Sequence, residues 1–130
     1  MHDQKETTAT KVDILGVQFN NVTMLDMIEH VKTFFTQETE DNLFILTANP
    51  EIVDYASEHS TYKQLINSAD FVVPDGTGVI KASNRLGTPL KRRVPGIELM
   101  EHCLKIAHTN YQKVYLPVSY THLRAHETDS

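Results

Sequence analysis

The fold is decided by one stretch, Phe71-Val72-Val73-Pro74-Asp75-Gly76-Thr77-Gly78. Its first three residues form a short apolar run of the kind that makes a buried strand, and Pro74 ends the run. Asp75 follows at once, two glycines flank Thr77, and a helix-like segment runs from Val79 to Leu86. In an open α/β sheet, ligands bind outside the carboxyl ends of the strands. Asp75 is therefore a carboxylate in a place where chemistry commonly occurs.

A second junction of the same kind precedes it. Residues 43–46 (Leu-Phe-Ile-Leu) are continuously apolar, which is typical of a strand buried on both faces. After Thr47, Asn49 suits the N-cap of a helix and Pro50 suits its first position. We expect this strand and Phe71–Val73 to form a parallel β-α-β unit with a right-handed crossover. Thr47, Asn49 and Asp75 would then gather at one edge of the sheet.

The beginning of the chain predicts smaller elements. Residues 1–10 have the composition of a disordered polar lead-in. Apolar residues alternate over 12–15 and 17–19 around Gly16, which predicts two short strands or one bent strand. Asn20-Asn21 is typical of a turn.

Two amphipathic helices flank these junctions. Thr23 and Asp26 have the spacing of a capping box, and apolar residues recur at helical spacing as far as Gln37. Pro95-Gly96 opens another helix, which carries Cys103 on its apolar face. We interpret Cys103 as a small buried apolar residue, because no histidine can be assigned as its partner. A further strand is predicted to begin at Lys113-Val114-Tyr115-Leu116.

Composition excludes several classes of protein. The chain has 130 residues, 40% of them hydrophobic, with a net charge of -5 and one cysteine. The charge argues against general nucleic-acid binding, and a single cysteine excludes an internal disulfide. No apolar run reaches the roughly 20 residues that span a bilayer. The seven histidines show no metal-ligand spacing.

Asp75 and the basic cluster each have a simpler interpretation. Asp75-Gly76 is also typical of a turn that hydrogen-bonds its own loop. The Gly76-Thr77-Gly78 loop lets backbone lie close to a ligand, but it is neither GxGxxG nor a P-loop. Arg93 belongs to the run Lys91-Arg92-Arg93, which is either a solvated charge cluster or a phosphate-binding group.

Residues 117–130 (PVSYTHLRAHETDS) break the pattern. A proline stands where the last strand should continue, and no periodicity, cap or turn follows. The run SYTHLRAHET resembles the conceptual translation of a sequencing adapter. We therefore predict three parts: a disordered lead-in over 1–10, an α/β domain over 11–116, and a foreign tail over 117–130.

Three motifs occur in order and with fitting spacing: LTANPEIV at 46–53, ADFVVPDGTGV at 69–79 and RRVPGIEL at 92–99. With the lead-in ILGVQFNNVTM, they closely resemble the WecG/TagA/CpsF family of bacterial glycosyltransferases. The resemblance covers residues 11–116. It implies a Rossmann-like α/β fold with a mostly parallel sheet flanked by helices, of which this chain would hold the N-terminal half.

The resemblance also implies a reaction. Members most similar to this chain transfer N-acetylmannosamine from UDP-ManNAc to undecaprenyl-diphosphate-linked GlcNAc, with inversion, in synthesis of the wall teichoic acid linkage unit. The family needs no cofactor and no obligatory metal. By its motifs, Asp75 would be the catalytic base, and Thr47 and Asn49 would line the sugar pocket. Gly76 and Thr77 would contact substrate through the loop, and Arg93 would bind the anionic substrate.

The family's second half is not matched. In relatives it completes the UDP side of the cleft and carries a basic appendage that docks on the membrane. We therefore expect the 130-residue chain to be inactive by itself, and its parent protein to work at the cytoplasmic face of the plasma membrane. Whether the protein forms a homo-oligomer stays open. Two alternatives also remain: another donor sugar, such as N-acetylmannosaminuronic acid or glucose, and a non-catalytic α/β module that binds nucleotides or phosphosugars.

Overall fold

The computed structural model describes residues 11–37, 40–110 and 112–114. Strands and helices alternate over most of this part of the chain, which confirms the predicted α/β class. The elements are β1 (Lys11–Ile14), β2 (Val17–Asn20), α1 (Met24–Thr36), β3 (Ile45–Ala48), α2 (Pro50–Glu58), α3 (Ser60–Asn67), β4 (Phe71–Pro74), α4 (Thr77–Arg85) and α5 (Gly96–Thr109).

The central pair of strands is parallel, as predicted. β3 and β4 align from Ile45 opposite Phe71 to Ala48 opposite Pro74, and α2 and α3 make the crossover. β3 begins two residues later than its apolar run, and only Ala48 in it is fully buried. Leu46 packs against one apolar cluster and Ile45 against the other, so both faces of β3 are covered, as expected. The burial is incomplete because, within the described residues, β3 pairs with β4 alone and no strand covers its other edge.

The β3–β4 pair separates two apolar clusters, because side chains of a strand alternate between its faces. Val72 points into the larger cluster, which joins the β1–β2 hairpin with α2, α3 and α4. Phe71 and Val73 point into the smaller one, which includes Met27 of α1 and Leu99 of α5. The described chain thus has helices on both sides of the parallel strands, as a Rossmann-like domain requires.

The N-terminal strands form an antiparallel hairpin, so the prediction of two short strands is confirmed. Its two-residue turn holds Leu15 at a φ of 52° and Gly16 at 91°. Positive φ at both central positions is the geometry of a type I′ turn, whose twist matches that of the strands. Asn67 at the end of α3 fixes the hairpin, since its side chain accepts a hydrogen bond from the Gln18 amide and donates one to the Gly16 carbonyl.

The turn predicted at Asn20-Asn21 is wrong. Asn20 is the last residue of β2, is 1% exposed, and accepts a hydrogen bond of 2.8 Å from the Val72 amide of β4. Asn21 accepts one of 2.7 Å from the Lys91 amide. The two asparagines serve as long-range tethers because the chain leaving the hairpin runs beside β4 and then past the segment that follows α4.

The helix starts are mostly as predicted. Thr23 and Asp26 form the expected capping box at α1. α3 is preceded by His59 at its N-cap, and the side chain of His59 makes no capping bond. Cys103 is half-buried against the smaller cluster, and burial raises the pKa of its thiol.

Several predictions concern the two ends of the chain. Residues 113–114 are not in a strand, and the rest of the predicted last strand lies outside the described residues. So do the lead-in over 1–10 and the tail over 117–130, whose division from the domain remains a prediction. None of the described helices is long and apolar enough to cross a bilayer.

Candidate active site

The site begins where the two parallel strands end. Asp75 directly follows β4, and its amide donates a hydrogen bond of 3.0 Å to the carbonyl of Ala48, the last residue of β3. This bond extends the β3–β4 hydrogen-bond ladder by one residue beyond the strands. It holds the half-buried Asp75 beside Thr47, which is also half-buried.

Pro74 uses the other side of the strand. Successive backbone groups of a strand point to opposite edges, so the groups of Phe71 and Asp75 face β3 and those of Pro74 face away. Proline therefore costs no bond in the β3–β4 ladder. Its carbonyl accepts a hydrogen bond of 2.6 Å from the Val94 amide. This bond brings the segment before α5 against β4 and so places the start of α5 near Asp75.

The start of α5 completes the site. A Cβ atom on Gly96 would lie 2.8 Å from Oγ1 of Thr47 and 3.1 Å from Oδ2 of Asp75. Both oxygens thus pack on the first residue of α5, which confirms that Thr47 and Asp75 lie together. No hydrogen bond reaches the carboxylate of Asp75 from any described residue. A carboxylate and a hydroxyl, both free to bind a ligand, therefore share this end of the sheet.

Asn49 holds the neighbouring helix. Its Oδ1 accepts a hydrogen bond of 2.9 Å from the Ile52 amide and so caps α2, with Pro50 in the first turn as predicted. Because the carbonyl oxygen is used by the cap, the Nδ2 group is the part of Asn49 left for a ligand. Its role in a sugar pocket stays a prediction.

The loop after Asp75 is shaped by Gly76. Its φ of 109° and ψ of 155° belong to a region that only glycine populates readily. Thr77 is exposed and begins α4, whose first turn has no side-chain cap. A Cβ on Gly78 would lie 2.7 Å from Cγ of Pro50, so the starts of α2 and α4 are in contact.

Three helix N-termini, those of α2, α4 and α5, therefore surround the ends of β3 and β4. The amides of a helix's first turn lack intrahelical partners and carry a partial positive charge. The first turns of α4 and α5 receive no capping bond from a side chain. The arrangement favours binding of an anion beside Asp75.

Arg93 is not part of this contact. It is exposed, and among the described residues its guanidinium group has no ion-pair or hydrogen-bond partner. Its neighbour Val94 is fully buried and anchored to Pro74. The structure fixes the backbone of Arg93 near the site but leaves its side chain in solvent, together with those of Lys91 and Arg92.

Sequence reasoning missed Gly96 as a site residue. Pro95-Gly96 indicated a helix start, and nothing in the local pattern showed that this start packs on Asp75. The described residues contain no cluster of three or more His, Cys, Asp or Glu side chains that could hold a metal ion.

Comparison with known proteins agrees with the three motifs. The model of the glycosyl transferase WecG/TagA/CpsF family matches residues 12–121. The chain belongs to this family. The match ends inside the predicted foreign tail, so the boundary after residue 116 remains a prediction.

Named relatives of the WecG/TagA/CpsF chain come from Staphylococcus aureus. Over 113 residues it is 60% identical to the N-acetylglucosaminyldiphosphoundecaprenol N-acetyl-beta-D-mannosaminyltransferases of strains NCTC 8325 and COL. The aligned part is 87% of this chain and 44% of each relative. The chain therefore spans less than half the length of these relatives.

Proposed function

We propose that this chain carries the catalytic base of a glycosyltransferase that moves N-acetylmannosamine from UDP-ManNAc to undecaprenyl-diphosphate-linked GlcNAc. The observation behind the proposal is the meeting of Oδ2 of Asp75 and Oγ1 of Thr47 at the start of α5. The names of the S. aureus relatives support this sugar and this acceptor. In such a protein the reaction would contribute to the linkage unit of wall teichoic acid.

Asp75 has the properties of a general base. Its carboxylate is half-buried, has no hydrogen-bond partner among the described residues, and lies on a backbone fixed by the bond to Ala48. In the proposed step the acceptor hydroxyl gives its proton to Asp75 while its oxygen bonds to the anomeric carbon of the donor. The bond from that carbon to UDP breaks with inversion. A positioned base contributes about 10²–10⁴-fold to such a reaction.

The leaving UDP carries negative charge that the site must stabilise. The first-turn amides of α4 and α5 receive no side-chain capping bond, and their partial positive charge can stabilise the diphosphate. Arg93 would add a guanidinium group by swinging from solvent onto the diphosphate. Thr47 and Nδ2 of Asn49 would then hold hydroxyl groups of the sugar.

The acceptor suggests where the protein works. A polyprenyl diphosphate resides in a membrane, so the protein would bind the cytoplasmic face of the plasma membrane peripherally. Because the S. aureus relatives are more than twice as long as the matched segment, we propose that the 130-residue chain needs the remaining part to be active. Transfer of ManNAc by the purified 130-residue chain would contradict this.

A chimaera tests the assignment of the base. Residues 12–114 of this chain replace the matching segment of the S. aureus relative, and transfer from UDP-ManNAc to a lipid-linked GlcNAc analogue is followed by mass spectrometry. We expect Asp75→Asn to lower kcat by at least 10²-fold with an unchanged melting temperature. Asp54→Asn on the exposed surface of α2 is the matched control and should keep full turnover. Full turnover by Asp75→Asn would refute the assignment.

Two other functions are separated by the same chimaera. A panel of UDP-linked donors, including N-acetylmannosaminuronic acid and glucose, shows which sugar is transferred. Calorimetry with UDP, with and without the acceptor analogue, identifies a module that binds the nucleotide and forms no product. The free carboxylate of Asp75 favours the transferase, since a site that only binds a diphosphate gains nothing from a nearby negative charge.

A further inference from the structure

Gly96 is the residue on which the two oxygens of the site pack. Because Gly96 has no side chain, two oxygens occupy the space beside it. A Cβ on Gly96 would lie 2.8 Å from Oγ1 of Thr47 and 3.1 Å from Oδ2 of Asp75. We infer that Gly96 is a positioning residue, whose lack of a side chain sets where the Asp75 carboxylate and the Thr47 hydroxyl lie. The inference rests on the function proposed for Asp75.

The backbone gives no other reason for glycine at this position. Gly76 and Gly87 have φ values of 109° and 80°, which side chains rarely adopt. Gly96 is not among the glycines with positive φ, and it occupies the first position of α5. Alanine is the better helix former there. The requirement for glycine is therefore one of space beside Thr47 and Asp75.

In the native structure the helix is held in place against Thr47 and Asp75. α5 is anchored by Leu99, which is 3% exposed, and by the preceding Val94, which is fully buried and bonded to the Pro74 carbonyl. Thr47 lies on a strand held in register by β4. An added methyl group at Gly96 must therefore displace the side chains of Thr47 and Asp75, which are the movable partners. Misplacing reacting groups by about 1 Å costs up to 10²-fold in rate.

The 130-residue chain itself tests the displacement without any activity. Gly96→Ala is compared with Gly87→Ala, which introduces backbone strain but has no atom within 4 Å of the new Cβ. We expect Gly96→Ala to shift the NMR resonances of the Thr47 methyl and the Asp75 carboxyl carbon while the melting temperature is kept. Gly87→Ala should lower the melting temperature and leave both resonances in place. Unshifted resonances in folded Gly96→Ala would overturn the inference.

Activity of the chimaera distinguishes positioning from folding. We expect Gly96→Ala to lower kcat by about 10- to 100-fold and to change KM for the sugar nucleotide by less than about threefold. Adding Thr47→Ser should recover part of kcat, because serine lacks the methyl group that confines the hydroxyl. Normal kcat in Gly96→Ala, with Asp75→Asn inactive, overturns the role of Gly96 alone. Full turnover by Asp75→Asn overturns the proposed role of Asp75 as the base. The NMR comparison then still shows whether Gly96 positions the side chains of Thr47 and Asp75.

Discussion

Replacing Asn20 by alanine tests how strongly β2 is joined to the parallel strands. The Asn20 side chain is 1% exposed, and its Oδ1 accepts a hydrogen bond of 2.8 Å from the amide of Val72. Val72 is itself 2% exposed, so water cannot replace the lost acceptor. The variant therefore leaves a buried amide without a partner in the middle of β4.

The expected loss follows from this orphaned amide. A buried donor without a partner costs about 1–3 kcal/mol. The alanine also removes Nδ2 of Asn20, which is buried and has no partner among the described residues, and this returns part of that cost. The space left by the amide group adds a cavity penalty of similar size. We expect the free energy of unfolding to fall by about 2 kcal/mol in total.

Asn21→Ala is the matched control, because the same substitution is made one residue along. Asn21 also accepts a hydrogen bond from a backbone amide, that of Lys91, but Lys91 is exposed to water. Its loss should cost no more than about 0.5 kcal/mol. The chain has no tryptophan, so urea unfolding is followed by far-UV circular dichroism. Equal losses in the two variants would refute the reasoning.

Three further predictions concern single residues. Leu15→Asn should raise the free energy of unfolding by about 0.5–1 kcal/mol. Leu15 is 60% exposed and has a φ of 52°, in a type I′ turn that favours asparagine. A lower urea midpoint would contradict this prediction. The pKa of Asp26 is lowered chiefly by its hydrogen bond from the Thr23 amide, so its contribution to stability is present above about pH 4 and is lost as the pH falls through the folded-state pKa. The difference between wild type and Asp26→Asn should thus be about 0.5–1 kcal/mol at pH 6 and vanish in acid, whereas a pH-independent difference would contradict this origin. Because burial raises the pKa of Cys103, the folded chain should react with an aromatic disulfide at pH 8 more slowly than the chain in urea, and equal rates would contradict it.

Local signals predicted the helix starts well. Thr23 and Asp26 are three residues apart, and Asn49 caps an amide three residues on, so both partners of each bond are visible in one short stretch. The apolar run before Thr47 gave the existence of β3 but not its limits. Those limits depend on the pairing of Ile45 with Phe71, which lies far along the chain.

Distant partners explain what the sequence did not show. Asn20-Asn21 has turn composition, yet Asn20 bonds to Val72, and no pattern within ten residues of either indicates the other. Strand-end logic brought Thr47 and Asp75 together correctly. It could not reveal Gly96, because Gly96 matters through the space it leaves for Thr47 and Asp75. That space exists only once α5, from a later part of the chain, packs on the strand ends.

The hydrogen bond from Val94 to Pro74 joins the start of α5 to the sheet. β3 is joined to one edge of β4, and the segment leading into α5 is latched to the other edge by this bond. Opening the latch would carry Gly96 away from Asp75 while every β3–β4 bond stays closed. Local opening of this kind requires less free energy than global unfolding. We therefore expect the Val94 amide to exchange its hydrogen faster than the Asp75 amide, because Gly96 can leave Asp75 while Thr47 and Asp75 stay together at the ends of β3 and β4.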